Sequence, residues 1–174
     1  MLAKSLDIVV ALKLLSIGRV PTYAVLAREL KMSASEVHAA VHRMIDAGLV
    51  DPESRLPRLI PLQQYLLYGV KYAFPPKRGA LTRGIPTSYA APPLAGMIVA
   101  EGEIPPVWAS SDGKVKGYSL EPLHPSVPQA IKHDRGLYEL LALVDAIRDG
   151  RARERQLAEG ELSKRLKINS NASH

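Results

Sequence analysis

The 174-residue chain predicts an α+β fold: N-terminal helices, a Pro-rich segment, a small antiparallel β-hairpin and C-terminal helices. Apolar residues recur at helical spacing in the first third and again from Leu137 onward. Ten of the fourteen prolines lie between Pro75 and Pro128, where long helices are disfavoured. Asp112-Gly113 separates two extended runs, a short-range hairpin signal.

The first helix runs from about Lys4 to Ile17, with Leu6, Val9, Val10, Lys13, Leu14 and Ile17 at helical spacing. Thr22 after Pro21 can cap a second helix, in which Tyr23, Leu26, Ala27 and Leu30 make one apolar face. Lys31-Met32-Ser33 interrupts it. Ser33 followed three residues on by Glu36 is a capping box, so a third helix spans about Ser33 to Ala47 and stops at Gly48. Val37, Ala40, Val41 and Met44 face its core side, leaving Ala34, Ser35, His38, Ala39, His42, Arg43 and Asp46 outward. Leu49-Val50 and Arg58-Leu59-Ile60 flank the turn-forming Asp51-Pro52-Glu53-Ser54, the pattern of a short hairpin carrying Arg55 and Arg58. Pro61 can open a fourth helix with a stripe of Leu62, Tyr65, Leu66, Gly69, Val70 and Ala73, which ends before Pro75-Pro76.

From Pro75 the Gly/Pro-dense PPKRGALTRGIPTSYAAPPLAG predicts loop, extended segments and short strands. Residues 106–109 and 114–120 then predict the antiparallel hairpin, with Trp108 and Tyr118 as packing residues. Asp134 can cap a helix whose Leu137, Leu140, Leu141, Val144 and Ile147 form an apolar face ending at Gly150. Arg151 to Lys167 has only a narrow stripe of Leu157, Leu162 and Leu166, suited to packing on a second chain. The expected organisation is therefore 1–74, a helical domain; 75–105, a linker or arm; 106–168, a small α+β dimerisation or sensing region; and 169–174, a frayed tail.

The net charge of +6 is unevenly placed. Residues 1–60 hold eight Lys/Arg against six Asp/Glu, residues 61–100 four against none, and residues 101–174 eleven against eleven. An anionic partner for the first part is implied. The absence of cysteine excludes disulfides, thiolate metal sites and cysteine nucleophiles, and fits a reducing compartment. No apolar run approaches the ~20 residues needed to span a bilayer, and Asp7 interrupts the N-terminal apolar segment. A cytoplasmic protein without membrane contact is expected.

The order helix, helix, tight turn, helix, short hairpin resembles the winged helix-turn-helix domain of bacterial transcriptional regulators, the MarR-like and related families, over roughly the first third of the chain. The resemblance implies that the helix at about 33–47 lies in the major groove of double-stranded DNA, that the wing touches the backbone or minor groove, and that homodimers read paired half-sites. The prolines at 52 and 57 depart from a well-formed wing. From Tyr118 through PLHPSVP to LYELLALVDAIRDGRARER the chain also resembles the C-terminal part of antitoxin-type regulators encoded beside nucleotidyltransferase-like toxins. That implies a protein-interaction module binding a cognate toxin as the alternative function.

Small and polar residues let a helix approach base edges, so Ser35, His38, Ala39, His42 and Arg43 are the candidate base readers. Thr22, Arg28, Lys31, Ser33, Arg55 and Arg58, joined by Lys77, Arg78 and Arg83, are the candidate phosphate contacts. The plainer alternatives are a helical hairpin packed for stability and cations that keep a surface soluble. Lys77 to Gly84 lacks the glycine-before-helix arrangement of a phosphate loop. His38, His42 and Asp46 share a helix face, but nothing nearby completes a metal site. No serine elbow or paired-carboxylate spacing is present, so neither enzymatic activity nor a cofactor is expected.

Overall fold

The structure, a computed structural model, describes residues 3–172 and is α+β. The first helix, α1 (Ser5–Ile17), is buried over every residue from Asp7 to Leu15. A helix apolar all round belongs inside a core. Accordingly α1 does more than roof the next two helices: it packs against α3 (Ala34–Asp46) and also against α7 (Arg135–Asp149) and α8 (Ala152–Ala172). Gly18 ends it with φ +73°. The next helix, α2 (Tyr23–Leu30), crosses α3, with Leu26, Ala27 and Leu30 buried against Val37, Ala40, Val41 and Met44.

The expected wing is reduced to one antiparallel bridge, Val50 to Pro57, around a turn in which Asp51 Oδ1 accepts from the Glu53 and Ser54 amides at 2.9 and 2.8 Å. Leu59-Ile60 is not a returning strand; it begins α4 (Leu59–Tyr68), two residues before Pro61. Proline lacks the amide that a ladder would use and is tolerated in a first helical turn. The helix breaks at Gly69 and resumes as α5 (Val70–Ala73).

The Pro-rich segment holds the longest strand, β1 (Arg78–Pro86), which pairs antiparallel with both β2 (Pro106–Ala109) and β3 (Val115–Leu120). These two do not form the predicted antiparallel hairpin. Pro106 pairs with Tyr118 and Val107 with Ser119 in parallel, closing a three-stranded barrel. Residues 110–114 instead carry the chain across β1 at Gly84, which lies opposite both Ala109 and Val115. The crossing is tight enough to require glycine. A side chain on Gly113 would overlap the Gly84 backbone, and one on Gly117 the Pro105 carbonyl.

After the short α6 (Val127–Ala130), α7 is capped by Asp134 Oδ1, which accepts the Leu137 amide at 2.9 Å, and α8 folds back along it. The expected boundaries at 74/75 and 105/106 separate no cores. Leu12, Val41, Leu62, Trp108, Leu141 and Leu162 belong to a single cluster, and α4 packs on α8 and α5 on α7. The predicted intermolecular stripe on α8 is spent within the chain: Ala158, Leu162 and Leu166 are buried and Leu157 is half-buried. The helix continues to Ala172 through most of the expected frayed tail, whose last residues, 173–174, lie outside the described residues. No helix among the described residues is long and apolar enough to cross a membrane.

Three buried polar groups are held by ion pairs and hydrogen bonds, and the first of them joins the two halves of the chain. Lys13 bridges Glu29 of α2 and the Asp134 cap at 3.1 and 2.5 Å, and these partners keep its ammonium charged despite burial. Asp145 accepts from Thr87, Trp108 Nε1 and Arg148 at 2.7, 2.8 and 2.9 Å. Burial pushes the Asp145 carboxyl up, and those three donors oppose the shift. The third group, Asp7, bears on the candidate site.

Candidate nucleic-acid interface

Two caps set the α2–α3 pair. Thr22 Oγ1 accepts the Val25 amide at 3.2 Å. Ser33 Oγ accepts the Glu36 amide at 3.2 Å while the Glu36 carboxylate accepts the Ser33 amide at 2.8 Å. Hydrogen bonds from the Ser33 backbone and hydroxyl hold the Glu36 carboxyl below its usual range. Between the helices Lys31 takes φ +56° and Met32 is buried as the anchor of the turn. Ser35, His38 and His42 consequently project from α3 exposed, with Ala39 half-buried beside them.

Arg43 departs from the expected arrangement. It is 4% exposed, and its Nε and Nη2 donate to Asp7, itself fully buried, at 2.9 and 2.7 Å. Asp7 Oδ2 also accepts the Lys4 amide at 2.7 Å, so the carboxylate ties the start of α1 to α3. Arg43 lies about 110° round the helix from the centre of the apolar stripe, on its flank rather than opposite it. Asp7, set among Leu6, Ile8 and Val9, was the available signal that a buried cation must come from elsewhere in the chain.

The exposed face carries a ladder of rings. His38 and His42 Nε2 are 3.1 Å apart, and Tyr23 meets the His38 ring edge-on at 5.1 Å. Arg55, at φ +61° in the turn after α3, lies 5.3 Å over the Tyr23 ring and donates to its hydroxyl at 2.5 Å. Tyr23 thus joins the site from a position that the spacing assigned to the α2 core. The contact needs Arg55 in a left-handed turn, which the local sequence does not announce.

The candidate phosphate contacts divide into two groups. Arg28, Lys31, Arg55 and Arg58 are exposed, as are the capping Thr22 and Ser33; Arg55 reaches the α3 face through Tyr23, whereas Arg28 and Lys31 line a cleft with Gln129, His133 and Asp134. Arg58 lies 3.7 Å from Asp51, a solvent-screened pair, whereas Arg28 and Lys31 form no ion pair among the described residues. Arg78 and Arg83 belong to β1 instead, and Lys77 immediately precedes it. Lys77 lies 3.8 Å from Glu121, and Arg78 is bound to Asp149 at 2.8 Å and stacked 5.0 Å over Tyr118. Arg83 is exposed directly opposite Lys116, so two like charges share one barrel face. Lys116 was invisible as a site residue until the strand register placed it there.

No group of three or more His, Asp or Glu that could hold a metal occurs among the described residues, and Asp46 does not join His38 and His42 in one. No family model, curated protein or solved structure matches this chain.

Proposed function

We propose that the protein is a sequence-specific double-stranded DNA-binding transcriptional regulator of the cytoplasm, with α3 reading a major groove. The observation that carries this is the outward face of α3: Ser35, His38, Ala39 and His42 are small or hydrogen-bonding, and exposed Arg55 reaches that face through Tyr23, which meets His38. A helix fits the major groove when small side chains admit its backbone and polar ones meet base edges. Cations beside it neutralise phosphates and fix the register. Arg43 has no part in this, since Asp7 engages its guanidinium.

Paired half-sites call for a homodimer. With the α8 stripe spent, one exposed apolar face among the described residues is Ile60, Tyr68 and Tyr72, spaced by four-residue multiples along α4–α5 and each at least 69% exposed. The same stripe favours a second reading, an interaction module or antitoxin that binds a partner protein there, with DNA binding secondary.

Titration against random duplex DNA at several salt concentrations separates the two. With Arg28, Lys31, Arg55 and Arg58 on phosphates, log K should fall against log salt with a slope of about −3 to −4. No binding at low salt would sink the DNA reading and leave the protein-interaction one.

A further inference from the structure

Two exposed imidazoles on α3 are already arranged as a chelate. His38 and His42 are one helical turn apart, and their Nε2 atoms approach to 3.1 Å. Zinc–imidazole bonds are about 2.0–2.1 Å long, so an ion bonded to both nitrogens at this separation would subtend an angle of about 100°, between octahedral and tetrahedral values. The rings are held in place. Their centroids are 4.2 Å apart, and Tyr23 braces His38 edge-on while Arg55 braces Tyr23.

The proton inventory also permits exchange. A hydrogen bond between two Nε2 atoms requires one ring to carry its proton there and the other to present a bare lone pair. An ion bonded to both Nε2 atoms leaves each neutral ring protonated on Nδ1. The donor ring therefore moves its N–H across the ring through solvent, with no net loss of a proton from the pair.

We propose that His38 and His42 form a bidentate surface site for a divalent first-row transition ion of the imidazole-binding class: Zn²⁺, Ni²⁺ or Cu²⁺. The site is open, because no third described protein ligand joins it, and water completes the coordination shell. An ion bound there takes both ring nitrogens off the outward face of α3. This holds whether or not that face meets DNA.

The full chain, freed of chelators and of any affinity tag, should bind one Ni²⁺ or Zn²⁺ by calorimetry. Its Cu²⁺ adduct should show hyperfine coupling to two equatorial nitrogens. His38→Ala and His42→Ala should each weaken binding at least about tenfold, because the second ligand acts at high effective concentration, and should leave at most one coupled nitrogen. His124→Ala, His133→Ala and His174→Ala should bind as the wild type does. Wild-type protein that binds no ion, or undiminished affinity in both His38→Ala and His42→Ala, would overturn the site. Because both histidines are exposed, unchanged melting temperatures would exclude misfolding as the cause of a loss.

Discussion

His42 and Arg43 are adjacent in sequence, yet one faces solvent and the other closes a buried ion pair. Removing each should therefore have opposite consequences. Arg43→Ala strands the Asp7 carboxylate in the core, and its expected cost is about 3–5 kcal/mol in denaturant unfolding. The same experiment on His42→Ala should move stability by no more than about 0.5 kcal/mol, as for an ordinary surface change. A small loss for Arg43→Ala would mean that the pair does not join α1 to α3. Most of the outward α3 residues were legible from spacing alone, since helical periodicity separates opposite faces. Residues on the flank were not. Their environment is decided by what packs alongside, here a helix beginning with an acid 36 positions earlier.

At the scale of elements, local hydrogen bonding set the helix ends. Thr22, Ser33 and Asp134 each accept the amide that their positions predict. Ser33→Ala should cost about 1 kcal/mol and shorten α3 at its N-terminal turn, measurable by circular dichroism and thermal melting. It should also flatten the acid limb of the stability profile. Glu36 titrates below its ordinary value of 4.5 in the folded chain, so its contribution is fully present above that pH and fades as pH falls through the folded value. An acid limb unchanged in Ser33→Ala would show that the capping box does not supply it. The strands were less legible. Asp112-Gly113 marks a turn but not a reversal, since β3 runs parallel to β2; whether the strand after that turn returns beside β2 or crosses to the far side of β1 depends on close backbone approach at Gly84 and Gly117. Those approaches are long-range and leave no local periodicity.

For the whole molecule, the C-terminal helix illustrates how a narrow apolar stripe can mislead. Leu162 and Leu166 sit in the common core, and Gln63 of α4 donates to Ser163 of α8 at 3.0 Å. Deleting the chain after Gly150 should therefore abolish cooperative unfolding rather than convert a dimer into a folded monomer. Two buried leucines alone contribute roughly 3–6 kcal/mol against a typical total of 5–15. A truncated chain that still melts cooperatively near the full-length temperature would show that α8 is dispensable to the core.

The amino-acid sequence by itself determined the α+β class, the capped helices and the small polar face of α3, because periodicity and capping act within a few residues. Tertiary structure alone decided that Arg43 belongs to Asp7, that the Pro-rich segment supplies the central strand, that α8 is consumed in one core, and that two histidines converge to 3.1 Å. Each of those outcomes depends on which distant surface meets a residue, and the free energy of burying an acid or a leucine is set by that partner rather than by its sequence neighbours.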